Sequence, residues 1–579
     1  MFRNMDEVKE SEKYAYFRDL GYTEKEAIVL SLIDFDANGK IGRVMKEYLK
    51  QKKEGFVDYV SGHYFSDQFK EKPKKKNRNV YSSIVGSGSG GVMLKKLSNL
   101  MYNTDYEYKE DEEDDELDLT GAVYSCRPVY SISPFFASTE NELRELIENV
   151  RTDSYELIEK KNWRNTVDSP TATFRPTYNT AAAGILLSNN RKGSLTRTSM
   201  VRIEELLNYL SYDLKAPHNK KFEVTKEVKK VGNEVYLFLG VQGKKILPEK
   251  QNICILLDVS GSMTRNKDSM ITVIATVLAK MNSGDVFSLV TYSDKDHVII
   301  NGLKLNEDKN IEDILEMLAR IDIDGYTNGS AGLNKAYEII EKNMIDNGVN
   351  RVIIITDGDL NFGIHDKDGL KGLIEKKRES GAYFSAIGTG IYNLQDDNLE
   401  ALAKNGNGNY FVVNELSDVR KSVCDKYEAL VYPIAKNVKA QVEFNPGRVK
   451  AWKLIGYEKR MLHHEDFRND KVIAEPFGSG SYFIALFRLV MNEGEMVKAS
   501  LKYLKTELVQ SQEIGTLTVR FEDVKDTGIK ELEFTIEDTL TESSNIEKAI
   551  ECADLAERLR DSNVDELTRM KLSGLLEDQ

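Results

Sequence analysis

The chain has 579 residues, a length that predicts several domains, and 41% of them are hydrophobic, as is typical of globular proteins. The formal net charge of −14 at pH 7 argues against general nucleic-acid binding, which requires a basic surface. The cysteines are far apart and form no CxxC pair, which predicts reduced thiols of a cytoplasmic protein rather than disulfides or a zinc site. They are Cys126, Cys254, Cys424 and Cys552.

The amino-terminal residues, MFRNMDEVKESEKYAYF, contain no apolar stretch after the early arginine, so no signal peptide is expected. A transmembrane helix needs about 18 consecutive apolar residues. The best candidate, SYFIALFRLVM (481–491), is shorter and contains Arg488. We therefore expect a cytoplasmic protein without a transmembrane segment.

Residues 1–60 predict a helical amino-terminal region, and residues 61–130 predict a linker. The linker contains the basic run KEKPKKKNR (70–78), the tract GSGSGG (86–91) and the acidic run EYKEDEEDDELD (107–118). Charge blocks and Gly/Ser tracts are typical of solvated linkers. GSGSGG lacks the Gly-Lys-Ser/Thr ending of the common phosphate-binding loop, which also favours a linker.

The stretch DFDANGKIG in the helical region partly matches a calcium-binding loop. Asp34, Asp36 and Asn38 fall on its first, third and fifth positions, and Gly39 falls on the sixth. The twelfth position is Met45, where a bidentate carboxylate should complete the coordination shell. We therefore predict a helix–turn–helix with turn-stabilising side chains rather than a working calcium site.

Residues 249–430 alternate between apolar strands and amphipathic helices. The predicted strands are NICILLD (252–258), DVFSLVTYS (285–293), RVIIITD (351–357), AYFSAIGTG (382–390) and NYFVVN (409–414). The predicted helices lie around 270–281, 333–340, 368–379 and 398–404, and a further segment of the series lies around 311–321. Because the strands are apolar on both faces, they predict a mostly parallel sheet with helices on each side. This is a doubly wound, Rossmann-like α/β domain.

Oxygen-bearing side chains follow the strands at one edge of this sheet. Asp258 and Asp357 each end a strand, so both carboxylates belong to the carboxyl edge, where ligands bind in open α/β sheets. Ser260 and Ser262 follow Asp258 at alternate positions, and Thr327 lies in the loop GYTNGSAGL. Five hard oxygen donors without His or Cys favour Mg²⁺, Mn²⁺ or Ca²⁺ over zinc. With only two carboxylates the ion keeps positive charge, which favours an adhesion-type site that takes a carboxylate from another molecule.

DVSGSM, Thr327 in its loop and Asp357 in ITDGD together resemble the metal-ion-dependent adhesion site (MIDAS) of von Willebrand factor type A domains. That pattern is DxSxS, then Thr, then Asp, and all three parts match without substitution. The resemblance implies that Ser260, Ser262 and Thr327 contact the ion directly, whereas Asp258 and Asp357 act largely through water and hydrogen bonds. It also implies a non-enzymatic adhesion or scaffold protein that binds an acidic residue of a protein partner through the metal.

The resemblance extends to the bacterial YfbK-like family over roughly 135–562. It is carried by SMVRIEELLNYLSYDLKAP (199–217), VEFNPGRVKAWKLIGYEKRMLHHEDFRNDK (442–471) and AERLRDS (556–562). Members of that family are often exported, which contrasts with the absence of a signal peptide here. The stretch ATFRPTYNTAAAG (172–184) differs from the acidic version usual in the family, so no function is transferred to it.

Residues 431–545 predict an antiparallel β domain, because short alternating runs such as KAQVEFN, GTLTVRFED and KELEFTI are separated by turn residues. The segment 131–248, which resembles the amino-terminal part of the YfbK-like family, contains the strand-like stretch 227–245 and is expected to contribute to that domain. The α/β domain is then inserted in, or flanked by, an antiparallel β-sandwich. Residues 546–579 predict a carboxyl-terminal helix and tail.

Two alternative functions compete with partner binding. The first is a metal-dependent hydrolase or phosphatase that uses Asp258, but a haloacid-dehalogenase-like enzyme needs a second acid where Ser260 stands. A serine hydrolase needs a GxSxG elbow and a histidine base, and we expect His463 and His464 to be surface residues. No residue is predicted to be catalytic. The second alternative keeps the fold and is a cytoplasmic assembly factor that works with an AAA+ ATPase.

Overall fold

The computed structural model describes most of the chain after residue 161 and two short segments near the amino terminus. The described ranges are 12–20, 22–31, 162–191, 198–246, 249–305, 309–324, 329–358, 367–390, 394–414, 418–492, 500–501, 504–505, 511–524, 528–541, 543–560 and 566–577. The partial calcium loop, the predicted linker with its three tracts, and Thr327 lie outside the described residues.

The strands are numbered in chain order, and most of them belong to three sheets. They are β1 (Arg164–Asn165), β2 (Thr171–Phe174), β3 (Phe222–Val231), β4 (Glu234–Gly243), β5 (Gln251–Asp258), β6 (Val286–Tyr292), β7 (Asp296–Lys304), β8 (Val349–Thr356), β9 (Ala382–Gly388), β10 (Tyr410–Val412), β11 (Pro433–Phe444), β12 (Val449–Ile455), β13 (Met461–Leu462), β14 (Phe477–Gly478), β15 (Tyr482–Met491), β16 (Ser500–Leu501), β17 (Leu504–Lys505), β18 (Glu513–Asp523) and β19 (Ile529–Glu537).

The α-helices are numbered in the same way. They are α1 (Glu12–Asp19), α2 (Glu24–Ser31), α3 (Ala181–Arg191), α4 (Ile203–Tyr209), α5 (Lys267–Lys280), α6 (Lys309–Ala319), α7 (Gly329–Lys342), α8 (Lys367–Glu379), α9 (Asp396–Asn405), α10 (Tyr427–Val431), α11 (Ser544–Arg560) and α12 (Glu566–Glu577). A π-helix, Val419–Cys424, precedes α10. Among the described helices, none combines the length and the apolar character that crossing a lipid bilayer requires.

A six-stranded sheet in the order β10-β9-β8-β5-β6-β7 forms the centre of the α/β domain. Its strands are parallel except for β7, which pairs with β6 in the antiparallel direction. All residues of β5, β6 and β8 are buried, as expected for strands that are covered on both faces. The predicted doubly wound, mostly parallel sheet is therefore confirmed. The edge strand β7 was not predicted, because its sequence DHVIINGLK is largely exposed and lacks a continuous apolar run.

Two antiparallel sheets, β1-β12-β15-β4-β3 and β13-β2-β11-β18-β19, face each other across a shared aromatic core. Phe444 of the second sheet lies 5.3 Å from Phe487 of the first, measured between ring centroids. Since β4 ends at Gly243 and β11 begins at Pro433, the whole α/β domain is inserted between two strands of this β-sandwich. The hairpin of β3 and β4 and the short β2, all from the segment before the insertion, belong to the sandwich.

A helical layer covers the outer face of the first sheet. Helices α3, α4, α11 and α12 share one apolar cluster with β4 and β15, to which Phe238 and Leu486 contribute. The carboxyl-terminal region that was predicted as a helix and tail forms two helices in the structure. The second of these, α12, is held by the buried side chains of Leu572 and Leu576.

The amino-terminal helix α2 packs on α5 of the α/β domain and α1 packs on α2, although more than a hundred residues separate them in sequence from the rest of the described chain. Phe17 and Tyr22 are buried in the same apolar cluster as α5, with their ring centroids 5.8 Å apart. Glu26 forms an ion pair of 2.7 Å with Lys280 at the end of α5. The described part of the predicted helical region is thus an integral layer of the α/β domain.

This packing predicts the effect of truncating Phe17. We expect Phe17→Ala to lower the free energy of unfolding by about 3–5 kcal/mol, because it leaves a cavity in a fully buried site. Urea denaturation followed by circular dichroism measures the change. The matched control is Trp163→Ala, since Trp163 is 41% exposed and should lose much less. Equal losses for the two variants would show that α1 does not pack stably on the domain.

Candidate metal centre

Asp258 is the last residue of β5, and its carboxylate is fixed from three sides. The hydroxyl of Thr356 donates to Oδ2 at 2.7 Å, and the hydroxyl of Tyr292 donates to the same oxygen at 3.2 Å. The backbone N–H of Ser260 donates to Oδ1 at 3.0 Å. Asp258 is fully buried, so these hydrogen bonds hold its carboxylate in one orientation.

Ser260 and Ser262 bring their hydroxyl groups together directly after this strand. The two Oγ atoms are 3.1 Å apart. Ser260 is extended, with φ −64° and ψ 159°, and the chain then enters a 3₁₀ turn, Gly261–Asn266. Ser260 is buried, whereas Ser262 is exposed. The turn therefore presents one hydroxyl to the interior of the site and one to its open side.

Asp357 follows β8 directly and is fully buried. The backbone N–H of Gly358 donates to Thr356 Oγ1 at 3.0 Å, and the backbone carbonyl of Asp357 accepts a bond from Gln395 N at 3.4 Å. Gly358 has φ +89°, and a Cβ atom there would lie 2.9 Å from Gln395 N. The turn that carries Asp357 past the end of β8 therefore requires a glycine.

The site concentrates negative charge away from water. Burial and, next, repulsion from Asp357 raise the pKa of the Asp258 carboxyl to about 6, while hydrogen bonds from Ser260 and Thr356 oppose this rise. Within the described residues, no Lys, Arg or His lies at ion-pair distance from Asp258. A bound cation would relieve this repulsion, so the electrostatics fit the metal that the sequence predicts.

The fourth predicted ligand, Thr327, lies outside the described residues, but the chain on each side of it contacts the site. Asp324 donates its backbone N–H to the carbonyl of Val259 at 2.9 Å. In α7, Gly332 lies so close to Tyr292 that a Cβ atom would approach the tyrosine Cβ to 2.8 Å. No three His, Cys, Asp or Glu side chains of the described ranges form a metal-binding cluster, so hydroxyl oxygens would have to complete the ligand set.

Sequence reasoning missed Thr356 and Tyr292, which orient Asp258. Tyr292 is the register partner of Asp258 across the β5–β6 pair, and Thr356 directly precedes Asp357. Both are polar residues at the carboxyl end of an apolar strand, which is a signal that could have found them. Their contact with Asp258, however, depends on strand order and register.

The residues outside this site agree with the sequence-based interpretation. His463 and His464 are exposed, and His464 Nδ1 lies 3.1 Å from Gln441 Nε2. Cys254, Cys424 and Cys552 are buried free thiols, as predicted. Burial raises the pKa of the Cys552 thiol to about 12, which makes it unreactive.

Three family models match the chain along its length. The model "von Willebrand factor type A domain" matches residues 252–423, "Uncharacterized protein YfbK, C-terminal" matches 429–576, and "von Willebrand factor" matches 149–234. YfbK of Escherichia coli strain K12 is 28% identical over 435 residues, which cover 71% of this chain and 75% of YfbK. The chain is a YfbK-like protein with a von Willebrand factor type A domain. The resemblance on which the sequence-based prediction rested is therefore confirmed.

Solved structures show weaker similarity. A von Willebrand factor type A protein from Catenulispora acidiphila has 14% identity and a TM-score of 0.35, over 60% of this chain and 81% of that one. Proximal thread matrix protein 1 from the mussel byssus, solved with a zinc-occupied MIDAS motif, has 21% identity and a TM-score of 0.25, over 32% and 48%. The family assignment depends on the family models and on YfbK.

The hydrogen bond from Thr356 yields a prediction about metal affinity. We expect Thr356→Val to weaken Mg²⁺ binding about 10- to 100-fold, because an outer-shell partner of a metal site orients the groups around the ion. Isothermal titration calorimetry measures the affinity. The matched control is Thr389→Val. Thr389 directly follows β9, and its buried hydroxyl has no hydrogen-bond partner in the described structure, so its loss should leave the affinity unchanged. Equal affinity for the wild type and Thr356→Val would contradict the role of this hydroxyl.

Proposed function

We propose that this chain is a non-enzymatic binding protein that holds an acidic residue of a protein partner through a divalent metal at the MIDAS of its von Willebrand factor type A domain. The observation that carries the proposal is the pair of hydroxyls of Ser260 and Ser262, 3.1 Å apart, beside the buried carboxylates of Asp258 and Asp357. These groups stand in the order that the family motif requires, and Thr327 supplies its middle part.

The roles of the residues follow from the motif. Ser260, Ser262 and Thr327 would hold the ion directly, and Asp258 and Asp357 would act largely through water and hydrogen bonds. The donor set of carboxylates and hydroxyls suits Mg²⁺, with Mn²⁺ or Ca²⁺ as alternatives. When bound, the ion supplies a positive charge for an anion. Because Ser262 is exposed, the open side of the site is accessible to a carboxylate from another protein.

The environment of Asp258 favours binding over catalysis. Its Oδ2 accepts two hydrogen bonds and its Oδ1 accepts one, so most of its acceptor positions are engaged by the protein and it is poorly placed to attack a substrate. A phosphatase or hydrolase that uses Asp258 as a nucleophile would need a more accessible carboxylate. The alternative of an assembly factor that works with an AAA+ ATPase uses the same metal contact and differs only in the partner.

The cellular compartment is part of the proposal. Cys254, Cys424 and Cys552 are all unpaired and buried, which supports a reducing environment. The net charge of −14 argues against nucleic acid as the partner. We therefore propose that the protein partner is met in the cytoplasm.

Titration with Mg²⁺ tests the metal part of the proposal. Calorimetry on the full chain should show one Mg²⁺ site, which Asp258→Ala abolishes and Thr327→Ala weakens strongly, because each removes an oxygen of the five-residue set. Circular dichroism checks that both variants are folded. Unchanged Mg²⁺ binding in Asp258→Ala would refute the metal centre.

Capture of the partner tests the binding part. Partners that the full chain retains from a cell extract in Mg²⁺ should dissociate in EDTA, because chelation removes the contact for their carboxylate. Ser262→Ala should weaken capture without unfolding the domain. The control in the same turn is Thr264→Ala, whose hydroxyl donates to the carbonyl of Gly261 and lies outside the motif. A partner with the same affinity in EDTA and in Mg²⁺ binds elsewhere, which would contradict the proposal.

A further inference from the structure

A cavity of about 350 Å³ lies where the α/β domain joins the β-sandwich. It is formed by the π-helix and α10, by the turn between β14 and β15, and by the residues that follow α4. Tyr427, next to the cavity residue Lys426, donates its hydroxyl to Gln251 at the first residue of β5, at 2.8 Å. Asp258 is the last residue of the same strand, so the cavity lies at the opposite end of the sheet from the candidate metal centre.

Two lysines line this cavity, and neither has a carboxylate at ion-pair distance among the described residues. Lys421 donates to the carbonyl of Leu576 at 3.2 Å, and Lys426 donates to the carbonyl of Asn208 at 3.5 Å. Neither ammonium group forms an ion pair with a described residue. Since an ammonium group has three donors and each lysine uses one for a hydrogen bond, donors remain for a ligand. Burial lowers the pKa of both side chains, to about 8 for Lys426, because an ammonium group is less stable away from water.

Ser481 also lines the cavity, and its buried hydroxyl is unsatisfied. Ser481 is only 5% exposed, and its Oγ has no hydrogen-bond partner in the described part of the chain. A buried hydroxyl without a partner destabilises a protein, so native structures rarely retain one without a reason. A ligand oxygen in the cavity would accept this hydrogen bond.

The other charged groups around the cavity offset the two lysines only in part. Against the effect of burial, Asp425 raises the pKa of Lys426, and Asp418 raises the pKa of Lys421. Glu428 is paired with Lys245 at 3.2 Å, outside the contacts of Lys421 and Lys426. Asp425 is exposed on the rim, where Arg420 also lies. The balance of the lining groups is therefore positive, with four basic and two acidic side chains.

We propose that this cavity binds a small phosphate-bearing anion, held by the ammonium groups of Lys421 and Lys426 and by the hydroxyl of Ser481. A phosphate group carries between one and two negative charges at neutral pH and offers several acceptor oxygens, which matches two cations and one hydroxyl donor. Lysine binds phosphate as a point charge that needs no fixed geometry. The ammonium groups of Lys421 and Lys426 also lie over the rings of Tyr209 and Tyr482, at 4.6 Å and 5.8 Å from the ring centroids.

Calorimetric titration of the full chain tests the proposal. Inorganic phosphate, glycerol phosphate and succinate are compared in buffers of equal ionic strength without divalent cations, so that the metal centre cannot contribute. We expect phosphate to bind the wild type, and Lys421→Met and Lys426→Met each to weaken it about tenfold, as loss of a hydrogen bond to a charged group does. Lys335→Met is the control, because Lys335 is paired with Glu338 on the surface of α7.

The outcomes are distinguishable. Tighter binding of glycerol phosphate than of phosphate identifies an organic phosphate as the ligand, and equal binding identifies the phosphate group alone; both support the site.

Ser481→Ala removes one hydroxyl without a partner, so it should keep the fold and still weaken binding, even if a lysine variant does not fold. No phosphate binding by the wild type up to about 10 mM would overturn the proposal. Equal binding of succinate, or unchanged binding in Ser481→Ala and both lysine variants, would also overturn it.

Discussion

Parallel pairing of β5 with β6 on one side and β8 on the other determines where the polar groups of the candidate metal centre lie. The register places Asp258 opposite Tyr292 and Leu257 opposite Ile355, which brings Thr356 next to the aspartate. Because the three strands run in the same direction, their carboxyl ends meet at one edge. Polar residues from three separate chain segments, at the carboxyl ends of β5, β6 and β8, thus converge at this edge.

The insertion of the α/β domain adds a second constraint, because its ends are fixed in different sheets of the sandwich. A buried ion-pair network spans this junction: Arg202, just before α4, donates to Asp396 at 2.8 Å and to Glu205 at 2.7 Å. Asp396 begins α9, and the preceding residue, Gln395, donates its backbone N–H to the carbonyl of Asp357. Removal of one partner of such a buried pair is strongly destabilising. The position of Asp357 is therefore linked through the backbone to the contact between the two domains.

The sequence was sufficient to predict the central strands and the order DxSxS, Thr and Asp, because these depend on local pattern. It left open whether the α/β domain is inserted in the β-sandwich or flanked by it, because that depends on which distant strands pair. It did not predict β7, whose exposed residues lack an apolar run, or the role of Thr356, which depends on register. The α12 helix was also missed, since only tertiary packing shows that Leu572 and Leu576 are buried. The anion cavity was beyond reach for a similar reason: Tyr209, Lys426 and Ser481 come from distant segments whose meeting is a property of the assembled fold.

Burial shifts the pKa of a charged group at each end of β5, and the two shifts have opposite directions. At the carboxyl end, burial and repulsion from Asp357 raise the pKa of Asp258, so the carboxylate form is stabilised by a cation. At the amino end, burial lowers the pKa of Lys426, so the ammonium form is stabilised by an anion. A strand of eight residues separates the two ends by about 25 Å. Direct attraction between charges over that distance is largely screened, so any effect of one ligand on the other must pass through the packed strand and its junction with the sandwich.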